Sequence, residues 1–148
     1  MLHKVAKRNI RSLMASTDGT AAVEMAIVFP VFMLISFGIL AFGIYFGAAH
    51  STQELAAAAA RSSVAGLDDA ERAQLADDYV KANVASYPLL AGTKVKTSSG
   101  SNENSPDDFV VSVSFDAADL PIWSFAAVAN LTQKTITRTS VVRRGGVQ

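Results

Sequence analysis

The large apolar side chains of this chain are crowded into one block. From Met25 to Ala49 the sequence reads MAIVFPVFMLISFGILAFGIYFGAA and carries no charged residue. No polar position recurs at helical spacing within it, so a helix built from it has no face for water. As a helix it is about 37 Å long at 1.5 Å per residue. That suffices to cross a hydrocarbon core of about 30 Å, and the pattern predicts a membrane helix. Pro30 lies inside the block, removes one backbone donor, and favours a kink or local melting. Tyr45 and His50 fall near the far interface.

Beyond His50 the pattern stays helical but turns polar. STQELAAAAARSSVAG is alanine-rich and extends the helix towards Gly66. LDDAERAQLADDYVKANVASYP opens on Asp68-x-x-Glu71, a capping signal, and ends at Pro88. In it Leu75, Ala76, Tyr79, Val80, Val84 and Tyr87 share one helical face, and the acidic residues form a solvated surface. The period then changes to two. In DFVVSVSFD, Phe109, Val111, Val113 and Phe115 alternate with Ser112 and Ser114, the pattern of a half-buried strand. QKTITRTSVV is β-branched and reads as a further strand, and TKVKT as a shorter, weaker one. GSNENSPDD is expected as a polar loop. AADLPIWSFAAVANL is expected as a turn and short helix carrying Trp123 and Phe125. The fold class is α+β: an N-terminal transmembrane helix extending into a small exported domain, with a helix packed on a short antiparallel sheet. The divisions are 1–19 (a basic leader), 20–49 (the hydrophobic transmembrane and assembly helix), 50–66 (its extension) and 67–148 (the exported domain).

Charge orients this scheme. The 148 residues sum to zero formal charge, but unevenly. Residues 1–19 hold Lys4, Lys7, Arg8 and Arg11 against Asp18, whereas the remainder holds nine basic and twelve acidic residues. A basic head before an apolar block places the N-terminus in the cytoplasm and the C-terminal domain outside, which in a bacterium is the periplasm or cell surface. A plain uncleaved anchor fits this layout. So does a secretory signal cut after FGAA, with Gly47 and Ala49 as the small residues and His50 as the new start. The apolar run is, however, much longer than the usual 7–15-residue signal core, roughly. The absence of cysteine excludes disulfides, thiolate metal sites and thiol catalysis.

Glu24 abuts the apolar block, where a carboxylate is costly without a partner. A place in the first helical turn, near the positive end of the helix dipole, would stabilise it by about 0.3–1 kcal/mol. A cut after Gly19 would instead supply a partner, the new ammonium of Thr20. Gly19, Thr20-Ala21-Ala22-Val23, Glu24 and a helix interrupted by Pro30, all after a basic leader, resemble a type IV prepilin processing site. More narrowly, GTAAVEMAIVFPVFMLISFGIL with FGIYFGAAHSTQELAAAAARSSVAG resembles the TadE-like pseudopilins, minor pilins of the Tad/Flp tight-adherence system. The resemblance implies leader removal by a membrane prepilin peptidase, with Gly19 before the scissile bond, Thr20 as the mature N-terminus and Glu24 as the glutamate of processing or assembly. Met25 stands where such prepilins often carry an aromatic residue. It also implies as partners other pilin and pseudopilin subunits and the Tad secretion and assembly machinery, besides membrane lipid. Gly43 and Gly47 form a G-x-x-x-G pair which, with Gly38, suits close helix packing in lipid.

The remaining chemistry is sparse. The histidines are His3 and His50, so no Ser–His–Asp or Cys–His system can be assembled in the exported part. Glu103, Asp107 and Asp108 lack calcium-loop spacing. No glycine-rich phosphate loop follows a strand. Arg138, Arg143 and Arg144 make a basic end too small to indicate nucleic acid. Asn130-Leu131-Thr132 matches a glycosylation sequon. No catalytic residue, cofactor or metal is expected. The expected function is that of a pilin-like minor subunit, processed and used in pilus assembly. The alternative is an uncleaved, single-pass periplasmic binding module, and an enzyme is the remotest reading.

Overall fold

The computed structural model describes residues 17–90, 94–102, 105–120, 122 and 134–143. The leader through residue 16, Glu103, Trp123, Phe125, the Asn130 sequon and Arg144 lie outside them. Two compact units divide between Ile39 and Leu40.

Helix α1 runs from Thr17 to Ser63. The helical assignment is unbroken through Pro30, so local melting is not observed. The proline still deprives the Ala26 carbonyl of its usual i+4 donor. In the first unit α1 is exposed on all sides: Ile27, Val28, Phe32, Leu34 and Ile35 are each more than half exposed. Apolar exposure this continuous, with no polar face, is a lipid-facing pattern rather than a water-facing one.

In the second unit the same helix acquires a buried face. Ala41, Ala48, Thr52, Leu55 and Ala59 are buried at steps of three, four or seven, together with Ala49, Ala56, Ala60 and Ser63. Nearly all are small. The two buried hydroxyls are satisfied within the helix, Thr52 Oγ1 donating to the Ala48 carbonyl at 2.8 Å and Ser63 Oγ to that of Ala60 at 2.7 Å.

Helix α2, Asp69–Asn83, begins as its capping signal predicts. Asp68 Oδ1 accepts from the Glu71 amide at 2.8 Å, and Glu71 Oε2 accepts from the Leu67 amide at 2.7 Å. The corner before it needs Gly66, because a Cβ there would lie 2.7 Å from the backbone nitrogen of Arg72. Ala76 and Val80 are buried, flanked by half-buried Leu75 and Tyr79. A 3₁₀ turn, Val84–Ser86, follows.

Strands β1 (Val95–Asn102), β2 (Ser105–Asp116) and β3 (Thr135–Arg143) form an antiparallel sheet in the order β1-β2-β3. Most of the expected polar loop GSNENSPDD is thus strand: β1 continues to Asn102 and β2 starts at Ser105, with a register shift after Ser101. Backbone pairing overrides the poor β-propensity of Gly, Asn and Asp in these stretches. Phe109, Val111, Val113 and Phe115 of β2 are fully buried and join the α1 alanines, Leu90, Leu120, Ile122 and Ile136 in one core. The opposite side of the sheet is hydroxyl-rich. Ser98, Ser112 and Thr139 lie across it in register, as do Lys96, Ser114 and Thr137. The Ser112 and Thr139 hydroxyls are 2.9 Å apart.

Candidate functional site

The residues singled out by sequence fall along α1. Gly19 and Thr20 are exposed in its first described turns, and Glu24 is exposed one turn further on. Because α1 already includes Thr17, Glu24 lies about two turns inside the helix. This corrects the first-turn reading: the helix-dipole contribution fades beyond one turn and does not reach Glu24. Nor is the carboxylate neutralised by a side chain. The ion pairs among the described residues are His50–Glu54, Arg72–Asp69 and Lys81–Asp77, and none involves Glu24. Among the described residues Glu24 is therefore an exposed carboxylate without an ion-pair partner, immediately before sixteen uncharged residues, Met25–Leu40, that the described fold leaves uncovered.

The three glycines have different surroundings. A Cβ at Gly38 or Gly43 would meet nothing within 4 Å. One at Gly47 would come within 2.9 Å of Leu89 Cδ1. Gly38 and Gly43 are thus open to another molecule, whereas Gly47 already admits the side chain of Leu89. Sequence spacing could not separate these cases.

Sequence reasoning missed an aromatic group on α1, in which Phe46 is exposed, Phe42 half-buried and Tyr45 packed against the core. Phe42 and Phe46 stack with ring centroids 6.3 Å apart, and Tyr45 meets Phe46 edge-on at 6.0 Å. The i, i+4 spacing of Phe42 and Phe46 was the available signal. Beyond them the first ionisable side chains are those of His50 and Glu54, 3.3 Å apart and both well exposed. Among the described residues, no three His, Cys, Asp or Glu side chains come together as a metal site would require.

A helix long and apolar enough to cross a membrane, uncovered over Met25–Leu40, is followed by a small α+β unit. Residues 19–61 match the family model for TadE-like protein, so this segment is similar to that family. The match begins at Gly19 and ends at Arg61, covering the helix and not the sheet. No curated protein and no solved structure matches the chain.

Proposed function

We propose that the chain is a minor pilin or pseudopilin of a Tad-type pilus, processed by a prepilin peptidase between Gly19 and Thr20. The observation that carries this reading is the exposed Glu24 carboxylate at the lip of an uncovered apolar helix, within the TadE-like segment. Cutting at Gly19 removes the turns that precede Glu24, bringing it into the first turn of a new helix, and creates an ammonium at Thr20. The ammonium of one subunit and the Glu24 carboxylate of its neighbour then neutralise each other in surroundings of low dielectric, where neither is stable alone. Gly38 and Gly43 let neighbouring helices approach closely as subunits pack. The orientation is N-terminus in the cytoplasm and exported unit in the periplasm, in the inner membrane. Assembly partners are the other pilins and the Tad machinery, and no step requires a cofactor.

The test is the N-terminus of the membrane-extracted protein from its native host, read by intact mass and peptide sequencing. A chain starting at Thr20 is expected. A chain starting at Met1 with an active peptidase present leaves a simple anchored module, and a start at His50 leaves a secreted domain. Glu24→Ala should retain membrane insertion and lose processing or pilus assembly; normal pili with that variant would remove the charge-pairing mechanism.

A further inference from the structure

Met25–Leu40, the uncharged part of α1 before burial begins, measures only about 24 Å at 1.5 Å per residue. A bilayer core is about 30 Å thick. Burial nonetheless starts at Ala41, which is 1% exposed. Two resolutions exist: Glu24 is drawn into hydrocarbon, or the bilayer continues past Ala41 along the open side of α1 and reaches the α+β unit. The surface chemistry favours the second. On the side of α1 that the core leaves free, Leu40 and Phe46 are 56% and 64% exposed, and Phe42 stacks on Phe46. Continuing the span to Phe46 lengthens it to about 33 Å and leaves Glu24 outside the core. It also puts Tyr45 and Phe46 at the far lip, where aromatic rings are enriched.

The α+β unit carries a matching feature. Between Lys81 and Lys94 the sequence ANVASYPLLAGT has no charge. Part of this stretch meets α1 at the same level, Leu89 facing Gly47, and exposed Pro88 stands beside it. Two of its amides pair within the turn. The Tyr87 amide donates to the Val84 carbonyl at 3.2 Å, the Leu90 amide donates to that of Tyr87 at 2.9 Å, and Pro88 has no amide proton. Each amide paired internally is one fewer to be desolvated in a poorly hydrated layer.

We infer that this α+β unit does not stand clear of the membrane: Phe42 and Phe46 on the outer side of α1, with Pro88 in the turn beside Gly47, form a seat in the lipid interface. The partner of this surface is the bilayer itself, continuous with the membrane span of α1, and the inference rests on reading that helix as a membrane anchor.

Because the chain lacks cysteine, single-cysteine variants report cleanly. Val31→Cys, Phe46→Cys, Pro88→Cys and Leu67→Cys of the full chain would be spin-labelled and reconstituted in phosphatidylcholine–phosphatidylglycerol vesicles. Collision with oxygen, which concentrates in lipid, is then compared with collision with a water-soluble nickel chelate. The labels at positions 46 and 88 should favour oxygen, with nickel accessibility several-fold below that at position 67, whose native leucine is 90% exposed. Nickel accessibility at 46 and 88 equal to that at 67, with 31 still in lipid, overturns the seat and leaves the anchor standing. A nickel-accessible label at 31 overturns the anchor as well. Shielding of 46 and 88 from both reagents means that protein rather than lipid covers them, which also overturns the seat.

Discussion

Single residues decide the ends of the elements. Asp68 satisfies the Glu71 amide and Glu71 that of Leu67, so two donors at the start of α2 depend on two carboxylates. Asp68→Ala should lower stability by about 1 kcal/mol while Asp68→Asn keeps most of it, as read from urea melts of the detergent-solubilised protein. This cap was legible because the spacing Asp-x-x-Glu states its own geometry. Gly66 was legible only as a helix stop. Its further requirement, room for the backbone of Arg72, depends on how α2 folds back and leaves no mark in local sequence. Glu24 was noticed for its position at the apolar block, yet its depth inside α1 was misread, since the basic leader carries no clear helix start.

At the scale of elements, small and large residues are divided between partners. The buried face of α1 is alanine, serine and threonine with one leucine, and the bulk comes from Phe109, Val111, Val113 and Phe115 of β2. Small side chains let a helix lie close to a sheet while the sheet fills the space between. Ala59→Leu should therefore overpack this contact and cost about 1–3 kcal/mol, though leucine is nearly as good a helix former. Phe115→Ala should cost more, about 3–5 kcal/mol, by opening a cavity. Thermal melts of both variants check the pair; a neutral Ala59→Leu would mean that the face is loosely packed. Reading ELAAAAARSS from sequence recovered the helix but took alanine as propensity alone. That the alanines were the packing face became visible only with the sheet in place. The strands were legible where they alternate, as in DFVVSVSFD, and illegible where Gly, Asn and Asp are drawn into the ladder by pairing. On the edge strand β3, Arg138 pairs in register with core residue Val113 and so occupies the inner face. An inward-directed charge of this kind discourages edge-to-edge addition of another strand.

Across the molecule, the combination of a long apolar helix with an α+β unit follows from hydropathy and was readable without coordinates. Alkaline pH should act on the α+β unit. Burial, with help from Tyr79 and Glu54 and against Arg61, holds the Tyr87 hydroxyl above its usual pKa. A tyrosine whose folded pKa exceeds its unfolded value of about 10 supports the fold fully below that pH and less as pH rises through the folded pKa. The hydrogen bond and charge of Asp77 likewise raise Lys81, an exposed group whose contribution solvent screens. Melting temperature should thus decline above about pH 10, and Tyr87→Phe should flatten part of that decline. An unchanged slope in Tyr87→Phe would place the alkaline sensitivity elsewhere. The uncovered side of the sheet responds differently. Its middle carries hydroxyls at Ser98, Ser112, Ser114, Thr137 and Thr139, with Lys96 the charge among them. Hydroxyls gather no counter-ion cloud, so contacts made through them change little between fresh water and brine. The hydroxyl-bearing middle of that side should thus respond less to salinity than its charged ends, at Asp108, Asp116 and Arg143, and than helix α2.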